Sequence, residues 1–221
     1  MRKLIVLESI NGFGKTTIIN KLISHYPDAI ITSHPGSTDI GKELRKLLKF
    51  GNFNICGEQE LALFAADAIG FYKEYIEDKD DNKLVICDRL NLIGAVTYQR
   101  AKGVNLSVID SMYNMLVHSG WTKKIDKLLI FNAPYEIIQS RIKKPTLVDQ
   151  DKVQGDKKDR FESAGDEYMK LVYKYYQCIL YDNNIRSLLK RFVKPDNIYQ
   201  INAAKTIDEV FVDVKNVIDQ N

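Results

Sequence analysis

The sequence is poor in features that would tie it to a metal centre, an oxidising compartment or a polyanion. Its three cysteines, Cys56, Cys87 and Cys178, are scattered over 221 residues, and no CxxC pair occurs. The three histidines are not spaced as metal ligands, so nothing here reads as a zinc site. Isolated thiols in odd number suit a reducing compartment, where each serves as a small buried hydrophobe. The first apolar run, Leu4-Ile5-Val6-Leu7, ends at Glu8 and is too short for a secretion signal or a membrane span. The expectation is a cytoplasmic protein with no membrane partner. Net charge is only +3, and the basic residues are spread out apart from a cluster between Arg141 and Lys158, which argues against nucleic acid as a partner. There is no internal repeat and no low-complexity tract.

With 45% hydrophobic and 28% charged residues, the chain can bury a sizeable core, and it reads as a single domain over 1–221. Short runs, apolar on both faces, alternate with longer segments of helical period. The runs are Leu4–Leu7, Ala29–Ile31, Leu84–Cys87, Leu128–Phe131 and Ile198–Ile201. Helices are expected at Thr16–His25, Thr38–Lys49, Glu58–Lys79, Asn91–Lys102, Leu106–His118, Glu136–Lys144, Arg160 to about Asn183, and Ile207–Ile218. Alternation of this kind predicts an α/β fold: a doubly wound, five-stranded parallel sheet with helices on both faces. Pro145 to Asp159 is polar, contains Pro and Gly, and lacks apolar periodicity. It reads as a mobile lid at about 144–160 rather than a linker, because no second core follows it.

The strongest local signal is Glu8-Ser9-Ile10-Asn11-Gly12-Phe13-Gly14-Lys15-Thr16-Thr17, placed after a strand and before a helix. Backbone N–H groups can wrap a phosphate only where side chains stay clear, hence Gly12 and Gly14, and the helix N-terminus adds its positive dipole end. Lys15 is expected on the β- and γ-phosphates of ATP and the Thr16 hydroxyl on Mg²⁺. Ser9 stands where this motif has its first Gly. Asn11, Phe13 and Thr17 read either as contacts or as scaffold.

Further motifs follow in a fixed order: Pro35-Gly36-Ser37-Thr38, then Glu60-Leu61-Ala62-Leu63-Phe64-Ala65-Ala66-Asp67. After these come Val85-Ile86-Cys87-Asp88-Arg89, then Tyr98-Gln99, Arg141-Ile142-Lys143-Lys144, Asp159-Arg160-Phe161-Glu162, and Ile201-Asn202-Ala203. In this order the chain resembles the thymidylate kinases, nearly from end to end. The resemblance implies ATP-dependent phosphorylation of dTMP to dTDP by a homodimer. It implies that Phe64 stacks on the acceptor base and that Arg89 holds the acceptor phosphate. Asp88 would order Mg²⁺, with Asn11, Tyr98 and Gln99 also on the acceptor side. Arg141, Asn202 and Ala203 would lie beside adenine. Lys143, Lys144 and Arg160 would bring lid charge to the phosphoryl group in transit, so that Lys15, Arg89 and Arg160 form the catalytic set. On the residues alone, Phe64 stands equally as a core aromatic, Asp88-Arg89 as a capping pair, and the lid lysines as a solvated run.

The chain departs from the family at several positions. Ala68 stands where the family has an Arg that reads a thymine carbonyl. Ser33-His34 replaces Arg-Glu, Asn11 replaces an acidic residue, Leu90 an aromatic and Ile93 a Ser. Tyr98-Gln99 falls one residue late, so that either a residue is inserted or Thr97 takes the tyrosine's place. A monophosphate kinase of broader or different base choice is therefore an alternative. A deoxynucleoside kinase is disfavoured, since Ser33-His34-Pro35 offers no carboxylate base after the second strand. A silent nucleotide-binding protein is the remaining rival class.

Overall fold

The computed structural model describes residues 1–51, 53–143 and 165–220. Five strands, β1 (Lys3–Glu8), β2 (Ile30–Ser33), β3 (Leu84–Asp88), β4 (Lys127–Asn132) and β5 (Ile198–Asn202), form one parallel sheet in the order β2-β3-β1-β4-β5. Leu4 to Leu7 are all fully buried, as expected of a central strand covered on both sides. The chain leaves β1 towards β2 on one side and leaves β3 towards β4 on the other. The connection therefore switches direction between β1 and β3, where the carboxyl ends of an open α/β sheet bind ligands. Register brings Leu7 beside Asp88, and Ser33 beside Asp88 from the other side.

Nine helices complete the described residues: α1 (Lys15–His25), α2 (Asp39–Phe50), α3 (Gly57–Phe71), α4 (Leu92–Gly94), α5 (Leu106–Leu116), α6 (Tyr135–Lys143), α7 (Asp166–Tyr181), α8 (Asn183–Leu189) and α9 (Ile207–Asp219). α1 packs against α9, while α3 packs against α2 and α5. These layers cover both faces of the sheet, in the P-loop kinase fold. Three of the expected helices change pitch. α3, α4 and α5 each run on into a π-helical turn, at Tyr72–Ile76, Ala95–Gln99 and Val117–Trp121 respectively. The helix expected to reach Asn183 stops at Tyr181. Asp182 turns extended (ψ 114°), and its carboxylate accepts from the Asn184 and Ile185 amides, capping the further helix α8. The expected lid lies outside the described residues.

Beneath the sheet, two lysines reach into the carboxyl end of α9. Lys127 Nζ donates to the carbonyls of Val217 at 2.6 Å and Gln220 at 2.5 Å, and Lys3 Nζ donates to Ile218 O at 3.0 Å. The last carbonyls of a helix have no partner within it and carry its negative dipole end, so both ammonium groups are well placed.

Candidate active site

β1 ends in a carboxylate, Glu8, that is almost wholly buried. One of its oxygens accepts from the Leu90 amide at 2.9 Å. Burial pushes the Glu8 carboxyl up, while Arg89, the Leu90 amide and Lys15 pull it back. After it the chain wraps into the loop 9–14. Gly12 (φ 92°) and Gly14 (φ 76°) take the left-handed backbone that only glycine adopts freely. Ser9 is not among the positive-φ residues, which explains why a residue with a side chain is tolerated there. No side chain caps α1; the Thr17 amide turns back to Gly14 O at 3.1 Å, and those of Lys15 and Thr16 are placed for an anion. Phe13 turns its ring into the core against Tyr176, centroids 5.5 Å apart, so this position offers the site only its backbone. Thr16 is exposed and Thr17 half-buried at the start of the helix.

Lys15 is buried, and its Nζ touches Asp88 Oδ1. Burial pulls this ammonium well below its ordinary value, Arg89 adds to the effect, and Glu8 opposes it. Arg89 sits in left-handed backbone (φ 71°). Its amide donates to Leu7 O at 3.0 Å, and its guanidinium donates to Ser9 O and, at 2.9 Å, to Asn11 Oδ1. The ends of β1 and β3 thus gather Lys15, Asp88, Arg89 and Asn11 in one cluster.

The departure at Tyr98-Gln99 has a physical reading. A π-turn holds one residue more than an α-turn of the same span, and one spans Ala95–Gln99. Thr97 is fully buried and donates to Ile93 O at 2.7 Å, so it does not face the loop. Tyr98 does: its hydroxyl accepts from the Asn11 amide at 3.1 Å, and its carbonyl accepts from the Tyr168 hydroxyl at 2.9 Å. Gln99 is fully buried and donates to Glu60 Oε2 at 3.2 Å; the structure does not bring it to the cluster. Phe64 lies nearby on α3, only 6% exposed. On the far side Arg141 donates to Ala203 O at 2.7 Å, joining α6 to the loop after β5. Asn202 is exposed there and accepts from the Ala204 amide at 3.0 Å. Lys143 is the last residue of α6, while Lys144 and Arg160 lie outside the described residues.

A family model for thymidylate kinase matches residues 7–190. The chain belongs to the thymidylate kinase family. It is 29% identical over 216 residues to the thymidylate kinase of Campylobacter concisus (strain 13826), covering 97% of each chain. It is 30% identical over 217 residues to that of Maridesulfovibrio salexigens, covering 96% of this chain and 92% of the other. The solved thymidylate kinase of Candida albicans superposes with a TM-score of 0.69 at 21% identity, over 98% of this chain and 91% of that one. That of Ehrlichia chaffeensis gives 0.64 at 20% identity, over 99% of both. A thymidylate kinase is a phosphotransferase, and this chain has the fold of one. Among the described residues no helix is long and apolar enough to cross a membrane.

Two buried carboxylates join the site without a role assigned from sequence. Glu8 ends a buried apolar strand, a position that is itself a signal, while Asp67 pairs with His34, 33 positions away, which no local pattern reveals.

Proposed function

We propose that this thymidylate kinase family member transfers the γ-phosphoryl group of ATP to dTMP, giving dTDP. The observation that carries the reading is the meeting of Lys15, Asp88 and Arg89 at the carboxyl ends of adjacent strands, beside a glycine-bearing loop and a helix start that no side chain caps. The triphosphate takes the amides of residues 12–16, and Lys15 moves from Asp88 to the β- and γ-oxygens. Asp88 and the Thr16 hydroxyl are then two hard oxygen donors that fit Mg²⁺ and would hold it. The bound ion would supply positive charge against that developing on the transferred group. Arg89 leaves Ser9 and Asn11 to hold the acceptor phosphate in line. Arg141 packs over adenine beside Asn202 and Ala203. Phe64 supplies the stacking face for the base, and Asn11 and Tyr98 border the sugar, while Gln99 supports that wall through Glu60. Lys143, Lys144 and Arg160 bring lid charge over the phosphates. We read the enzyme as a cytoplasmic homodimer.

Preorganised cations aimed at the transferring group carry most of the catalysis in such a site. Lys15→Ala is therefore expected to lower kcat by on the order of 10²-fold or more while the protein stays folded. A coupled assay offering nucleosides and monophosphates with ATP and Mg²⁺ tests the reading. Near-normal turnover in the variant, or no transfer to dTMP by the natural chain, would sink it.

A further inference from the structure

His34 and Asp67 have no part in the mechanism above. Both side chains are 0% exposed, and imidazole Nε2 approaches carboxylate Oδ2 to 3.1 Å. The contact is not aligned as a hydrogen bond, and Nδ1, Nε2, Oδ1 and Oδ2 all lack one. The Phe64 carbonyl and the Gly36 amide face the pair and act on its charge. Four buried polar atoms in this state are costly, and two apolar side chains could fill the same space without that cost. Local rules broken in this way mark functional positions.

The surroundings of the pair say what it does. The His34 amide donates to Asp88 O at 3.0 Å, tying residue 34 to the strand end that carries the metal-binding carboxylate. The imidazole leans on the Phe64 ring, centroids 6.1 Å apart and planes 31° apart. Asp67 follows Phe64 by three residues on α3, so both lie on one helix face. Its Oδ1 packs against Gly41 near the start of α2, where a Cβ would collide with it. Arg45 also faces the pair and donates to Pro35 O at 2.9 Å. Three pieces of the molecule therefore meet on these two side chains: the end of β3, the helix that bears Phe64, and the first turn of α2.

We propose that His34 and Asp67 are positioning residues that set the span between the Phe64 ring and the Asp88 carboxylate. This rests on the proposed function, in which the first binds the acceptor's base and the second the metal on the donor phosphates. A nucleoside monophosphate has a fixed length from base to phosphate. If α3 shifts against β3, the base cannot stack while the phosphate stays in line for attack. An error of about 1 Å in such a placement can cost 10²-fold.

The test is steady-state kinetics on the full chain with dTMP and ATP varied in turn, for His34→Leu, His34→Gln and Asp67→Asn. The Leu and Asn variants are expected to raise the dTMP KM on the order of tenfold, with the ATP KM within about twofold of the natural chain. His34→Gln keeps an N–H donor at the Nε2 position and should restore the dTMP KM to within about threefold of the natural chain. If both KM values move together, the pair is merely structural and the proposal fails. It fails equally if neither KM moves, or if Gln behaves like Leu. Should His34→Leu not fold, Asp67→Asn, which preserves shape, decides alone. If the natural chain transfers nothing to any monophosphate, the functional reading falls and this proposal with it. Normal turnover with unchanged variants removes only the proposal.

Discussion

Burial pushes the Asp67 carboxyl up to about 6, against the Gly36 amide and the Arg45 charge. Burial also pushes the His34 imidazole down to about 3, and Arg45 adds to that shift. The ordinary values are 3.8 and 6.5. Between pH 4 and 6 the unfolded chain thus keeps one proton on the imidazole, and the folded chain keeps one on the carboxyl. Equal numbers of bound protons mean that the pair adds no pH dependence to stability in that range. Below it the unfolded Asp takes a second proton before the folded His does, and stability falls towards pH 3. Asp67→Asn breaks the balance. The remaining imidazole protonates at 6.5 unfolded but only near 3 folded, so stability is lost as pH falls from 6.5, by up to about 1.4 kcal/mol per pH unit. Denaturant unfolding of both proteins at pH 5 and pH 7 measures this, and a difference between them that is the same at both pH values would contradict it. Ala68 is the other telling residue. It is 1% exposed in the core, and the Trp121 indole donates to its carbonyl at 3.2 Å. No donor from this position reads the base edge. Discrimination of dTMP from dUMP is therefore expected to be weak, which kcat/KM for the two acceptors will measure. Restoring an Arg by Ala68→Arg is expected to destabilise the fold, since a charged side chain would be forced into a packed core without a partner.

The elements were unequally legible from the sequence. Strands such as Leu4–Leu7 and the loop at Gly12 and Gly14 stand out because their signals are local: apolar runs, and glycine where φ must be positive. The π-turns left no such trace. Shifting one hydrogen bond by one residue barely alters apolar spacing, so Asn91–Lys102 read as a plain helix with its Tyr one place late. The break at Asp182 was hidden for a related reason, because a capping Asp between two helical stretches looks like an exposed helical residue. The π-turn at Ala95–Gln99 is also open to experiment. Deleting Val96 would turn it into an α-turn of the same span, which still presents Tyr98 to the Asn11 amide. The deletion is therefore expected to keep kcat/KM for dTMP within about threefold of the natural chain. A loss of about tenfold or more would show that the π-turn does more than absorb the extra residue.

At the scale of the whole molecule, strand order and the switch between β1 and β3 follow from right-handed crossovers once five buried strands are recognised. Which side chains meet across long stretches of chain does not follow. Glu60 with Gln99, Arg141 with Ala203, and His34 with Asp67 are each dozens of residues apart, and no local pattern pairs them. The widest span among the described residues belongs to one of the two lysines beneath the sheet, for Lys3 and its acceptors Ile218 O and Gln220 O are 215 and 217 positions apart. This has a consequence for the order of events during synthesis. β1 leaves the ribosome before the other strands, but the helix end that receives its lysine comes only after nearly all the other elements. Contacts of such long range close late. Until α9 arrives, Lys127, which is largely buried in the finished fold, has no carbonyl to meet. Chains stalled on the ribosome with Val217 still in the exit tunnel are therefore expected to remain protease-sensitive throughout. Resistance should come in one step once further linker lets α9 emerge. Early resistance of the β1–β4 portion would show that the sheet closes without its last helix.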